Sequence, residues 1–161
     1  MKPFSFVVLA LFLVTGCSRV KPTEGPLQIT TPAGYAVKYQ IAEGKDFYYI
    51  SNKRTCHMAL LFLPNVPEAK IPSRVDGYVK SFLACGVDHP DLKPESDVPV
   101  KGDIVGESYK GSYAEFTLHG GSKSVFFMIS NGTGVWQGQF DGPEEGWGNA
   151  MEILKDMKKK G

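Results

Sequence analysis

The segment from Ile104 to Phe140 constrains the fold more than any other part of the chain. Four short runs, Ile104–Tyr109, Tyr113–His119, Val125–Ser130 and Val135–Phe140, are rich in aromatic and β-branched residues. They are separated by "KGS", "GGSK" and "NGTG", interruptions whose Gly and Asn supply the positive φ of tight turns. Spacing this short predicts a meander of strands, each pairing with the next. Within it, "VFFMI" is apolar at consecutive positions, so both sides of its pleat need cover and it belongs in the middle of a sheet.

The preceding sequence supplies more strands and a helix. "LQITTPAGYAVKYQIAEGKDFYYIS" holds two or three short strand runs, broken at Pro32-Ala33-Gly34 and Glu43-Gly44-Lys45. Met58 to Leu63 is continuously apolar and stops at Pro64, a pattern that predicts a strand covered on both faces. The period then changes. Val75, Tyr78, Val79, Phe82 and Leu83 follow the i, i+3, i+4, i+7, i+8 spacing of an amphipathic helix, with Ser73 as expected N-cap and Gly86 as expected stop. "VDHPDLKPESDVPVKGD" reads as an acidic, proline-punctuated surface loop. From Pro143 to Lys158, Trp147, Ala150, Met151, Leu154 and Met157 form a helical stripe. Glu144 and Glu145 begin it, and Lys155 and Lys158 to Lys160 end it, in the sense the helix dipole favours. The expected class is α+β: an antiparallel sheet of about six to seven strands with helices covering both faces.

The amino terminus has a different character. Phe4 to Val14 is apolar for roughly 11 residues, about half of the ~20 needed to span a bilayer. Lys2 precedes the run and small residues end it, the order of a secretory signal peptide. Val14-Thr15-Gly16-Cys17 resembles the lipobox of bacterial lipoproteins. That resemblance implies cleavage after residue 16, acylation of Cys17, and anchoring of the mature chain to a lipid bilayer by several acyl chains. Ser18 stands where an Asp would favour inner-membrane retention, so the implied location is the outer membrane, facing the periplasm. Residues 17–26 then form the lipidated Cys and a short tether, and 27–161 a single domain. The order of elements, with the helix "GPEEGWGNAMEILKDMKK" near the end, resembles the PsbP-like family. This implies an α-β-α sandwich, no catalytic residues, and a binding or assembly role.

Composition narrows the function. Lys2 is the only charge in the first 16 residues, so its removal leaves 17 basic against 17 acidic side chains. A neutral domain without a basic stripe is not built for nucleic acid. No G-x-S-x-G elbow, H-E-x-x-H pair or phosphate loop occurs. "GTGVWQG" precedes a strand and reads as a hairpin turn. No cofactor is implied, and an enzyme would have to use residues that no motif marks.

With Cys17 assigned to lipid, Cys56 and Cys85 remain, an even pair in an oxidising compartment. Helical spacing places Cys85 on the face of Tyr78 and Phe82, and a Cys56–Cys85 disulfide is the leading expectation, with two separate buried thiols as the alternative. A third reading is a copper or zinc site from Cys56, His57, Cys85 and His89, although adjacent Cys56 and His57 point to opposite faces of a strand. Trp136 and Phe140 share a strand face with Gly138 between them. They form a candidate ligand face, unless both pack beneath the last helix. The leading function is a non-catalytic, membrane-anchored domain that binds an envelope protein or another envelope component; a metal-handling lipoprotein is the alternative.

Overall fold

In the computed structural model the described residues are 24–53, 56–88 and 93–160. The first strand β1 (Leu27–Gln28) is followed by β2 (Tyr35–Ala42), β3 (Lys45–Asn52) and β4 (His57–Leu63). A 3-10 turn, Glu68–Lys70, leads into helix α1 (Ile71–Asp88). Then come β5 (Val100–Val105), β6 (Lys110–Thr117), β7 (Ser122–Ser130), β8 (Val135–Pro143), helix α2 (Glu144–Asp156) and β9 (Lys158–Lys159). Seven strands form one sheet in the order β2-β3-β4-β8-β7-β6-β5, every pairing antiparallel. The fold is α+β and mostly sheet.

The turns behave as their residues dictate. Glu43 (φ 51°) and Gly44 (φ 74°) join β2 to β3 in two residues with positive φ, the backbone that matches strand twist. The meander keeps its four strands but shifts its first register. Its first strand runs over Val100–Val105, and the turn is Gly106–Tyr109, closed by a Gly106 N–H to Tyr109 carbonyl bond of 2.8 Å. Gly111, expected in a turn, lies inside β6, where a Cβ would stand 1.8 Å from the Met128 carbonyl oxygen. The residue is Gly because the neighbouring backbone is too near.

Pleat alternation divides the sheet into two faces. On the first, Ile50, Met58, Leu60, Val125, Phe127, Ile129, Trp136 and Phe140 join Trp147, Ala150, Ile153 and Leu154 of α2 in the main core. On β7 the alternate residues, Phe126 and Met128, face the other way. There Met128 packs with Ala114 and with Ile71 and Val75 of α1, and Phe126 stacks on Tyr78 and meets the tilted ring of Phe82.

Both helix ends depart from the sequence expectation. Ser73 is not the N-cap: α1 begins at Ile71, and the Ser73 Oγ–H donates back to the Lys70 carbonyl at 3.1 Å. Helix α2 ends at Asp156, because Met157 turns extended (ψ 136°) to bury its side chain completely. Lys158 and Lys159 therefore form β9 on β1 rather than a helix end. The Tyr48 hydroxyl accepts from the Leu27 N–H at 2.9 Å and donates to the Glu24 carbonyl at 3.3 Å, fastening the chain to the domain from Glu24.

Candidate functional site

The second face of the sheet is covered unevenly. Helix α1 lies over β6 and β7, and Tyr78 reaches β8, where Gln137 hydrogen-bonds to it. Beyond that border, Phe47 and Tyr49 on β3, Ala59 and Leu61 on β4, and Gln137 on β8 are only half-buried; Lys38, Gln40, His57 and Gln139 are exposed. Among the described residues neither helix packs on this face of β3 and β4 beyond Leu63. The expectation that β4 is covered on both sides thus holds for Met58 and Leu60, at 2% and 0% exposure, and not for Ala59 and Leu61. A single helix is too narrow for seven strands, and this one sits over the β5 side.

Register brings polar groups together at one end of the open area. His57 on β4 lies opposite Asp141 on β8, and Asp141 lies opposite Ser124 on β7. The Ser124 Oγ–H donates to Asp141 Oδ1 at 2.8 Å, and Gln139 Nε2 donates to Oδ2 at 2.9 Å. Burial pushes the Asp141 carboxyl above its ordinary range; the two hydrogen bonds and the nearby His57 work against that rise. The His57 ring stacks on Tyr49 at 5.8 Å between centroids, and its Nδ1 pairs with the Tyr49 hydroxyl. The result is a polar cluster on a half-apolar floor. Ser124 donates its proton to the carboxylate and not to the imidazole.

The residues singled out from sequence fall in three places. Cys56 and Cys85 are both free. The bridge expected between them is not formed because they lie against opposite faces. Cys56 is buried in the main core beside α2, where a Cβ on Gly146 would stand 2.2 Å from its sulfur. Cys85 is exposed on α1, whose packed stripe runs through buried Ile71, Val75 and Gly86 and half-buried Phe82 and leaves Cys85 on its flank. The expectation of Cys85 on the packed face is corrected accordingly. Of the alternative metal set, Cys56 is buried while His57 and Cys85 are exposed on separate elements; His89 lies outside the described residues, as does Cys17.

Trp136 and Phe140 do share a face, and it is the interior one, with 3% and 1% exposure. Phe140 packs on Trp147 of α2 at 5.5 Å, and Trp136 packs on Tyr48 and Phe62. The space above Gly138 is filled by Phe127, whose Cζ would lie 2.1 Å from a Cβ there. Only Trp136 reaches an opening, a cleft of about 270 Å³ bordered by Leu27, Phe62, Tyr109, Asn131 and Lys159. Sequence reasoning missed the area around Tyr49, Leu61 and His57. Its signal was present in "HMALLFLP", a strand more apolar than one covered face requires.

No family model matches the chain, and no curated protein matches it. Among solved structures it is similar to a crystal structure from Bacteroides thetaiotaomicron VPI-5482 determined at 1.50 Å resolution. The TM-score is 0.53 at 14% identity, over 89% of this chain. The chain spans about half the length of that protein, 50%. At this identity the likeness is one of fold.

Proposed function

We propose that this protein is a lipid-anchored, non-catalytic binding domain of the bacterial cell envelope. In this reading Cys17 carries the acyl chains, at the outer membrane facing the periplasm. The uncovered part of the second sheet face receives an envelope protein or another envelope component. The α-β-α sandwich of the PsbP-like family, in which helices cover both faces, is the finer architecture within this reading.

One observation carries it. Strand β4 is apolar on both sides of its pleat, yet its Ala59–Leu61 side is half-exposed beside Phe47 and Tyr49. Neighbouring apolar side chains left partly open to solvent on one face are the raw material of an interaction site. Gln137, Gln139 and His57 border the area with hydrogen-bonding groups, as the polar rim of an interface does.

The test is in-cell photocrosslinking with a benzophenone side chain placed at Leu61 and, separately, at Tyr49. The expected result is one discrete adduct common to both positions, absent with the probe at exposed Glu152 of α2, and lost when Leu61→Lys is combined with the Tyr49 probe. Equal, diffuse labelling from all three positions contradicts the assignment of this face.

A further inference from the structure

Strand β5 is the last strand on its side of the sheet, and no described strand pairs with its outer edge; just beyond its end the Glu107 N–H donates to the Lys155 carbonyl of α2. Three of the four large apolar side chains most exposed among the described residues lie on it or beside it: Val98 at 79%, Val100 at 61% and Val105 at 71%. Folded chains usually protect such an edge, since its free N–H and C=O groups invite another strand.

Backbone direction shows which groups are free. The Gly106 N–H donates to the carbonyl of Tyr109, the residue just before β6. Alternation along an antiparallel ladder then points the amides of Gly102 and Ile104 toward β6, and those of Lys101, Asp103 and Val105 outward. Pro99 falls in the outward set, where its missing N–H costs the molecule's own ladder nothing.

We infer that β5 pairs antiparallel with β5 of a second copy of this chain, about a two-fold axis at Gly102, joining the two sheets edge to edge. The side chains select this register. With Gly102 opposite Gly102, Lys101 stands opposite Asp103 of the second copy, and Asp103 opposite Lys101. Their outward amides and carbonyls exchange hydrogen bonds, and the Val105 N–H meets the Pro99 carbonyl of the other strand. Moving the axis one residue either way sets Lys101 against Lys101 or Asp103 against Asp103, which like charges disfavour. Registers that mismatch odd and even positions turn one sheet's buried side toward the other's second face. Val100 then neighbours Ile104 of the second copy, and Val105 covers Pro99, so two of the exposed valines gain contact.

Lys101 already has one carboxylate partner within the chain, Asp76 of α1 at 2.7 Å on the same face, and Asp103 of the second copy is its second. The opposite edge, β2, lacks the matching charges. A two-fold at Tyr39 would oppose Lys38 to Gln40, and the Tyr35 N–H is already directed to the Pro32 carbonyl.

The experiment is sedimentation equilibrium of the full chain in detergent over a wide concentration range. The wild type is expected to pass from monomer to dimer with concentration, and Asp103→Lys and Lys101→Asp to be monomeric alone, with at least a ten-fold loss of affinity. An equimolar mixture of the two variants should recover the dimer, because each then faces the opposite charge. Hydrogen exchange on the wild type adds a readout free of substitutions: the Lys101, Asp103 and Val105 amides should slow as concentration rises. A wild type that stays monomeric, a dimer indifferent to Asp103→Lys, a mixture that stays monomeric, or amides that exchange at one rate throughout overturns the inference.

Discussion

Gly138 gives the sharpest test of how the sheet interior is packed. A Cβ there would lie 2.1 Å and 2.3 Å from the Cζ and Cε2 atoms of Phe127, a ring only 1% exposed and packed toward Trp147 at 6.2 Å. Two effects compete in Gly138→Ala. Replacing Gly by Ala inside a strand gains about 0.5–1 kcal/mol from backbone entropy. Overfilling a packed core costs about 1–3 kcal/mol. The overlap is severe and the ring has little room to swing, so the cost wins, for a net loss of about 1–2 kcal/mol. Phe127→Leu removes the atoms that clash. In that background the same Gly138→Ala change is expected to be neutral or stabilising. The assay is urea unfolding of the four chains in a double-mutant cycle, where contacting residues show couplings above about 0.5 kcal/mol. If Gly138→Ala stabilises equally in both backgrounds, Phe127 does not occupy the space. Gly138 would then open a recess between Trp136 and Phe140, as the strand pattern alone predicts.

Two other results follow from the structure. Alkylation of the native protein should modify Cys85 and spare Cys56, with Cys56 reacting only after unfolding; two unreactive thiols that appear only after reduction would show a disulfide instead. Burial pushes the Tyr48 hydroxyl up to about 12 from its ordinary 10.0. Its contribution to stability is complete below pH 10 and is lost as pH rises through 12, so alkaline unfolding followed by tyrosine absorbance should fall in that window. Tyr48→Phe leaves the buried Leu27 N–H without its acceptor, at about 1–3 kcal/mol, and should remove this tyrosine's share of the alkaline slope.

Local chemistry made much of the fold readable from sequence. Glycine and asparagine marked the turns at residues 43–44 and 131–134, and the helical period of Val75, Tyr78 and Phe82 marked α1. Other features depended on contacts that no local pattern encodes. Gly111 resembles a turn former until the Met128 carbonyl is placed behind it. Lys158 and Lys159 look like a helix end, and only Met157's burial and the arrival of β1 make them a strand. Cys85 shares helical spacing with Tyr78, yet the drift of the packed stripe leaves it at the surface. The uneven cover of β4 is of the same kind. Its apolar sequence states that both sides avoid water, whereas only the placement of α1 determines which side is left open.

Lipid anchoring through Cys17 is read out by the intact mass of the protein extracted from membranes. The predicted species begins at Cys17, carries a thioether-linked diacylglycerol and an amide-linked acyl chain, and disappears from the membrane fraction on Cys17→Ala. A chain that keeps residues 1–16, or one recovered free of membrane with an unmodified Cys17 thiol, contradicts the claim.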